Sequence, residues 1–175
     1  MVRTYINFCG QGNSGKTTTL NNVIEKLKEI PNCKIIEKVP DNPNAENCRI
    51  ALEIVVEGKK HTVAISTWGD NLEHLQKNHS FFDRHTPEVM VTASHCHKDY
   101  EHNLFIENYV HNPINAENKG VKNKEPFNYI KIHSVKLKEG DVNIKDKNEY
   151  YAQYLYNLII ESLKFNDSFC KQIKK

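Results

Sequence analysis

Apolar positions along this chain follow two rhythms, short unbroken runs and residues spaced three or four apart, and the two alternate from the first residue onward. Residues 2–9 form a compact β-branched and aromatic run stopped by Gly10, the form of a buried strand. From Lys16, the residues Leu20, Val23, Ile24, Leu27 and Ile30 fall at helical spacing until Pro31-Asn32 breaks the pattern. Residues 33–39 are a second short strand, ended by Pro40-Asp41-Asn42-Pro43-Asn44. Two β-rich runs, 49–56 and 61–67, are joined by Glu57-Gly58-Lys59-Lys60, which predicts an antiparallel hairpin. A helix carrying Leu72, Leu75 and Phe82 ends before Pro87, and residues 88–94 are another buried strand centred on Val89-Met90-Val91.

Beyond this point the pattern weakens and then recovers. Residues 99–110 suit a short helix, whereas 111–126 are polar, rich in Asn and Lys, and predict a mobile loop. Residues 127–137 return to strand character, and 148–165 predict a final amphipathic helix with Tyr151, Tyr154, Leu155, Leu158, Ile159 and Leu163 on its apolar side. Strands alternating with helices imply an α/β fold: a three-layer sandwich whose mostly parallel sheet, with one antiparallel hairpin, is flanked by helices. Its functional site is expected at the carboxyl ends of the strands.

At 175 residues with 38% apolar content the chain is expected to be one domain over 1–175. Its 24 basic and 22 acidic side chains nearly cancel, so charge gives no case for or against a nucleic-acid partner. The five cysteines are odd in number and scattered without C-x-x-C spacing, which favours reduced thiols and a cytoplasmic location. With no apolar run of membrane-spanning length and no secretory leader pattern, no membrane association is expected.

The strongest chemical signal is Gly10-Gln11-Gly12-Asn13-Ser14-Gly15-Lys16-Thr17, which fits G-x-x-x-x-G-K-[ST] between a predicted strand and a predicted helix. Glycines let several backbone N–H groups converge on one polyphosphate, a Lys ammonium reaches the outer phosphates, and a Thr hydroxyl suits Mg²⁺. On these residues the chain resembles the P-loop NTPase superfamily, in particular its small kinase-like members, over roughly its first thirty positions. The resemblance implies that Gly10, Gln11, Gly12, Asn13, Ser14, Gly15, Lys16, Thr17 and Thr18 hold ATP, GTP being the lesser alternative. It also implies that Lys16 stabilises the migrating phosphoryl group and that Thr17 ligates Mg²⁺.

Members of that superfamily commonly place an acid at the end of a second core strand; here Ser66 occupies that place, and the acid comes later, in Thr67-Trp68-Gly69-Asp70. If Gly69 lets the chain turn back, Asp70 faces the phosphates as a metal-orienting or proton-accepting group. Asp70-Asn71-Leu72-Glu73 is equally a capping box, in which Asp70 and Glu73 satisfy the helix start. Glu37 is a second acidic candidate, or a strand residue facing solvent. Arg84 is a candidate transition-state cation, or a helix-end cation paired with Asp83. His95-Cys96-His97 has poor spacing for zinc, since neighbouring strand residues face opposite sides, but Ser94 or His95 at that strand end suits a contact with base or acceptor. Lys119, Lys122 and Lys124 either close over phosphates or are solvated charges.

Three functions follow from these residues. One is an ATP-dependent phosphotransferase acting on a nucleoside, nucleotide or nucleic-acid hydroxyl. Another is a GTPase-like switch or hydrolase, although neither Asn118-Lys119-Gly120-Val121 nor Asn123-Lys124-Glu125-Pro126 completes an N-K-x-D guanine-reading motif. The third is a nucleotide-binding module without catalysis, which the missing strand-end acid favours.

Overall fold

Side chains alternate across the strands and sort the apolar residues into two cores, one on each face of a single sheet. The computed structural model describes residues 3–40, 46–95, 105–106, 108–110, 127–134 and 144–173. Six strands, β1 (Arg3–Gly10), β2 (Lys34–Pro40), β3 (Cys48–Val56), β4 (Lys59–Ser66), β5 (Val89–Ser94) and β6 (Phe127–Ser134), lie in the order β2-β3-β4-β5-β1-β6. β4, β5, β1 and β6 pair in parallel, whereas β3 runs antiparallel to both its neighbours, so it is the one reversed strand. The fold class expected from the alternation of elements, an α/β protein with a mostly parallel sheet, is the one observed.

Ile6 and Phe8 of β1 and Val91 and Ala93 of β5 pack with Leu20, Val23, Ile24 and Leu27 of α1 (Lys16–Lys28). The same core takes in Ala152, Leu155, Ile159 and Leu163 of α3 (Ile144–Ile173). Tyr5, Ala64 and Met90 face the other way, against Leu75, Phe81 and Phe82 of α2 (Leu72–His85) and against Ile106 and Val110. Phe105, Ile106, Asn108, Tyr109 and Val110 are helical, and the remainder of the predicted 99–110 helix lies outside the described residues, as does the whole 111–126 segment. Helices on both faces cover a mostly parallel sheet, the condition under which its strands read as continuous apolar runs.

Two expectations are corrected. α3 has 30 residues rather than the predicted 18 of 148–165, and Tyr154 is 48% exposed because the buried stripe runs Ala152, Leu155, Ile159, Leu163, at helical spacing that leaves Tyr154 on the far side. β2 is an exposed edge, with Ile35 and Ile36 at the surface. Cys33 and Cys48 are free thiols, and the Cys9 sulfur, also outside any disulfide, lies 3.4 Å from His133 Nδ1. Among the described residues no helix is long and apolar enough to cross a membrane.

Candidate functional site

Register decides where the glycine loop emerges. Cys9 lies beside Ser94 of β5 and Gly10 beside Ser134 of β6, so the chain leaves the sheet at its carboxyl edge between two parallel neighbours. β1 connects towards one edge of the sheet and β5 towards the other, which makes this the crevice where open α/β sheets take ligands.

Two left-handed positions, Asn13 (φ 58°) and Gly15 (φ 84°), reverse the chain into α1, and Ser14 N–H donates to the Gln11 carbonyl at 3.3 Å across the bend. Gly15 caps α1 without a side-chain hydrogen bond, and the first helical turn has no acidic residue. The positive end of the helix dipole therefore faces the crevice without a first-turn carboxylate of its own to neutralise it. A Cβ on Gly15 would lie 2.3 Å from Asn148 Oδ1, while one on Gly12 would meet only His95 Cε1 at 3.7 Å. Close packing from α3 thus requires Gly15, and the bare Gly12 keeps space between loop and imidazole.

Lys16 is buried and folds back over the loop, its Nζ donating to the carbonyls of Gly10 and Gln11 at 3.0 Å each. Thr17 Oγ1 donates to Asn47 Oδ1 at 3.2 Å, and Thr18 faces outward. A cleft of about 330 Å³ opens here, lined by residues 12–18 together with Thr67, Asp70 and His95. A larger groove of about 630 Å³ lies around the β3–β4 turn, walled by Lys26, Val56 and Tyr156; it shares no residue with the loop, and the smaller, polar cleft is where the chemistry-bearing groups converge.

The segment after β4 is held from beneath. Ser66 Oγ donates to Asn78 Oδ1 at 2.8 Å, and Asn78 Nδ2 donates to the Trp68 carbonyl at 2.6 Å and to Thr92 Oγ1 at 3.1 Å, all of it buried. Ser66, at the position where an acid was expected, thus points into the protein. Gly69 was expected to turn the chain back through conformational freedom, but it is not among the glycines of positive φ. Its bare Cα is needed because a Cβ would sit 1.6 Å from the Ala93 carbonyl oxygen, where this segment crosses the end of β5.

The capping-box expectation for Asp70 is corrected. The N-cap of α2 is Asn71, whose Oδ1 accepts from His74 N–H at 2.9 Å, and Glu73 pairs with Lys77 instead of returning to the cap. Asp70 is left one residue before the cap, where its Oδ1 lies 2.9 Å from His95 Nε2. His95 itself is 18% exposed, and Ser94 donates to the buried Asn7.

Arg84 is not brought to the cleft. It sits at the far end of α2, next to the start of β5, and donates to both carboxylate oxygens of Glu37 at 2.9 and 3.0 Å. Its expected partner Asp83 accepts from the Tyr109 hydroxyl. Arg84, and after it His85, hold the Glu37 carboxyl below the usual range, and three strands separate β2 from β1, so Glu37 too is remote. Arg84→Ala is expected to leave the affinity of the cleft for an anionic ligand, measured by calorimetry, within about twofold of wild type, because a surface pair at the opposite edge adds little to the field in the cleft. Cys96, His97, Lys119, Lys122 and Lys124 lie outside the described residues.

Sequence reasoning missed Asn47, Lys147 and Asn148. Lys147 Nζ donates to the Ser14 carbonyl at 2.8 Å, and burial lowers its pKa. Nothing local marks these residues, since each joins the loop only through tertiary contact. Asn78 did carry a signal, a polar residue at helical spacing between Leu75 and Phe82. Among the described residues no group of three or more His, Cys, Asp or Glu could hold a metal ion.

Fold and site together define an α/β protein with a glycine loop and an uncapped helix start at the centre of its carboxyl edge. No protein-family model, curated protein or solved structure matches this chain.

Proposed function

We propose that this chain is a P-loop nucleotide-binding protein and a small phosphotransferase, moving the γ-phosphoryl group of Mg·ATP to a hydroxyl of a nucleoside, nucleotide or nucleic acid. The observation that carries the reading is the Lys16 ammonium clasped to the Gly10 and Gln11 carbonyls beside the uncapped N-terminus of α1. Loop amides and ammonium are fixed where a polyphosphate would lie, and such preorganised donors stabilise charge that spreads over phosphoryl oxygens during transfer.

Mg²⁺ keeps most of its water and takes one or two protein oxygens, and the Thr17 hydroxyl with the Asn47 carboxamide beside it is a hard-oxygen pair of that kind. When bound, the ion would supply charge neutralisation at the phosphates. Lys16 holds the outer phosphates, the loop amides the inner ones, and the cleft admits the acceptor on the side of Thr67 and Asp70.

A hydrolase reading is favoured by one observation: the reversed strand β3 leads through β4 into Thr67 and Asp70 on the cleft wall, an arrangement similar to that of G domains. Water is then the acceptor and the cradle is unchanged.

Thermal unfolding with and without Mg·ATP or Mg·GTP tests the cradle. Nucleotide at a hundred times its Kd adds about 2.7 kcal/mol, an increase in Tm of about 5–10 °C for a chain of this size. Incubation with γ-labelled ATP and pooled nucleosides, nucleotides and oligonucleotides then separates the activities. Label on an acceptor supports transfer, label in inorganic phosphate alone selects hydrolysis, and binding without either leaves a binding module. No Tm shift with either nucleotide sinks the proposal.

A further inference from the structure

Two donors from distant parts of the chain converge on one carbonyl of the glycine loop, that of Ser14. Lys147 Nζ, near the start of α3, donates to it at 2.8 Å, and Ser134 Oγ, at the end of β6, donates at 3.1 Å. The Ser14 N–H is turned to the Gln11 carbonyl, so the next amide along the loop is that of Gly15. The Ser14 carbonyl and the Gly15 N–H belong to one planar trans peptide and point in opposite directions. Ser14 and Gly15 line the cleft, whereas Lys147 and Ser134 stand outside its lining.

We propose that Lys147 is a positioning residue of the polyphosphate site: its ammonium, with the Ser134 hydroxyl, fixes the Ser14–Gly15 peptide so that the Gly15 N–H is presented to a phosphate oxygen. The inference rests on the nucleotide-binding reading above and adds that the start of α3 belongs to the site. Lys147 touches no phosphate and acts through the peptide. Two donors on the carbonyl oxygen polarise the amide, which makes the N–H at its other end a stronger donor. A peptide held in this way does not reorient when the anion arrives, so its dipole is preorganised and less binding energy is lost to ordering.

Local sequence makes such an anchor necessary. Gly15 is in the left-handed region at φ 84°, and glycine has the widest choice of backbone conformations, so the chain itself does not select one orientation of the preceding peptide. Tertiary contact selects it. Asn148, the neighbour of Lys147, places its Oδ1 where a Cβ on Gly15 would need to be, so consecutive residues of α3 hold consecutive residues of the loop. Burial lowers the proton affinity of Lys147, and a charge-assisted bond to the carbonyl offsets the hydration that the ammonium gives up.

The test measures affinity for inorganic tripolyphosphate and Mg·ATP by calorimetry, and the Gly15 amide signal by ¹H–¹⁵N spectroscopy, in wild type, Lys147→Met, Ser134→Ala and Lys145→Met. In wild type, tripolyphosphate is expected to move the Gly15 amide proton downfield, as a hydrogen bond to an anionic oxygen does. Lys147→Met keeps the length of the side chain and removes its donor; it is expected to weaken both ligands about tenfold and to shrink that displacement. Ser134→Ala removes the longer bond and is expected to weaken them about threefold. Lys145→Met removes an equal charge from an exposed position in the same turn and is expected to stay within about twofold of wild type. Wild-type affinity in Lys147→Met overturns the proposal, and so do equal losses in the two lysine variants, which charge alone would explain. A full Gly15 displacement in saturated Lys147→Met also overturns it, since Lys147 would then only dock the helix; each of these results leaves the cradle standing. Wild type that binds neither ligand removes the nucleotide reading and this inference with it. If Lys147→Met does not fold, the Gly15 signal decides: a displacement in wild type that is smaller in Ser134→Ala supports the anchor, and bound tripolyphosphate that leaves the signal unmoved counts against it.

Discussion

Lys16→Ala is expected to abolish the rise in Tm caused by Mg·ATP and to lower turnover at least about 10²–10³-fold, the cost of removing one preorganised charge from a transition state. Lys16 is 7% exposed and its ammonium is bonded to the Gly10 and Gln11 carbonyls, so its charge is concentrated on the loop rather than spread into solvent. The substitution leaves the helix intact, because alanine is the best helix former and Lys16 opens α1. Circular dichroism of the nucleotide-free variant should therefore match wild type, with Tm lowered only by the loss of the two loop hydrogen bonds, while calorimetry with Mg·ATP shows no binding in the working range. Arginine is not expected to rescue, since a planar fork cannot occupy the position of a compact ammonium over the same two carbonyls. A Lys16→Ala protein that binds and turns over normally removes the polyphosphate cradle from the account.

Gly69→Ala is expected to be the most destabilising single methyl addition in the described part of the chain, costing about 3 kcal/mol and lowering Tm by about 6–12 °C. The added carbon would lie 1.6 Å from the Ala93 carbonyl oxygen, 2.7 Å from the Ala93 carbonyl carbon and 3.3 Å from Ser94 Cα. Those atoms are backbone of β5, which is bonded into the sheet between β4 and β1 and cannot swing away as a flexible side chain would. Relief requires the end of β5 to shift, and with it Ser94 and His95. Activity should fall further than stability at temperatures where the variant is still folded. Gly12→Ala is the matched control, because its Cβ meets only His95 Cε1 at 3.7 Å; its urea midpoint should stay close to wild type. Equal midpoints for the two alanine variants would show that the crossing of the 67–70 segment over β5 is not as described.

The parts of the site legible in the sequence are those whose function depends on neighbours along the chain. A run of fixed residues from Gly10 to Thr17 builds a loop by its own backbone, so its pattern survives as a string. Asp70 was a candidate with two roles, and the choice between them lay with Asn71, which offers the helix a better-placed oxygen, and with His95, which draws the carboxylate the other way. Arginines are scarce in this chain, and scarcity says nothing about which edge of a sheet a helix such as that of Arg84 ends on. Arg49 stacks on Trp68 at the carboxyl edge, where β3 pairs with Ser66, while Arg84 lies at the other end of α2.

The order of residues by itself determined the alternation of strands and helices, the α/β class and the glycine loop, because periodicity, turn residues and a contiguous motif act over a few bonds of chain. Only the tertiary structure decided that β3 is the one reversed strand, that β5 lies between β4 and β1, and that Asp70 meets His95 beside the loop. It also decided that α3 supports the loop, with Lys147 donating to Ser14 across 133 positions. Strand order and such long-range hydrogen bonds depend on which apolar faces bury one another. That is a property of the packed whole, and no local stretch of the chain encodes it.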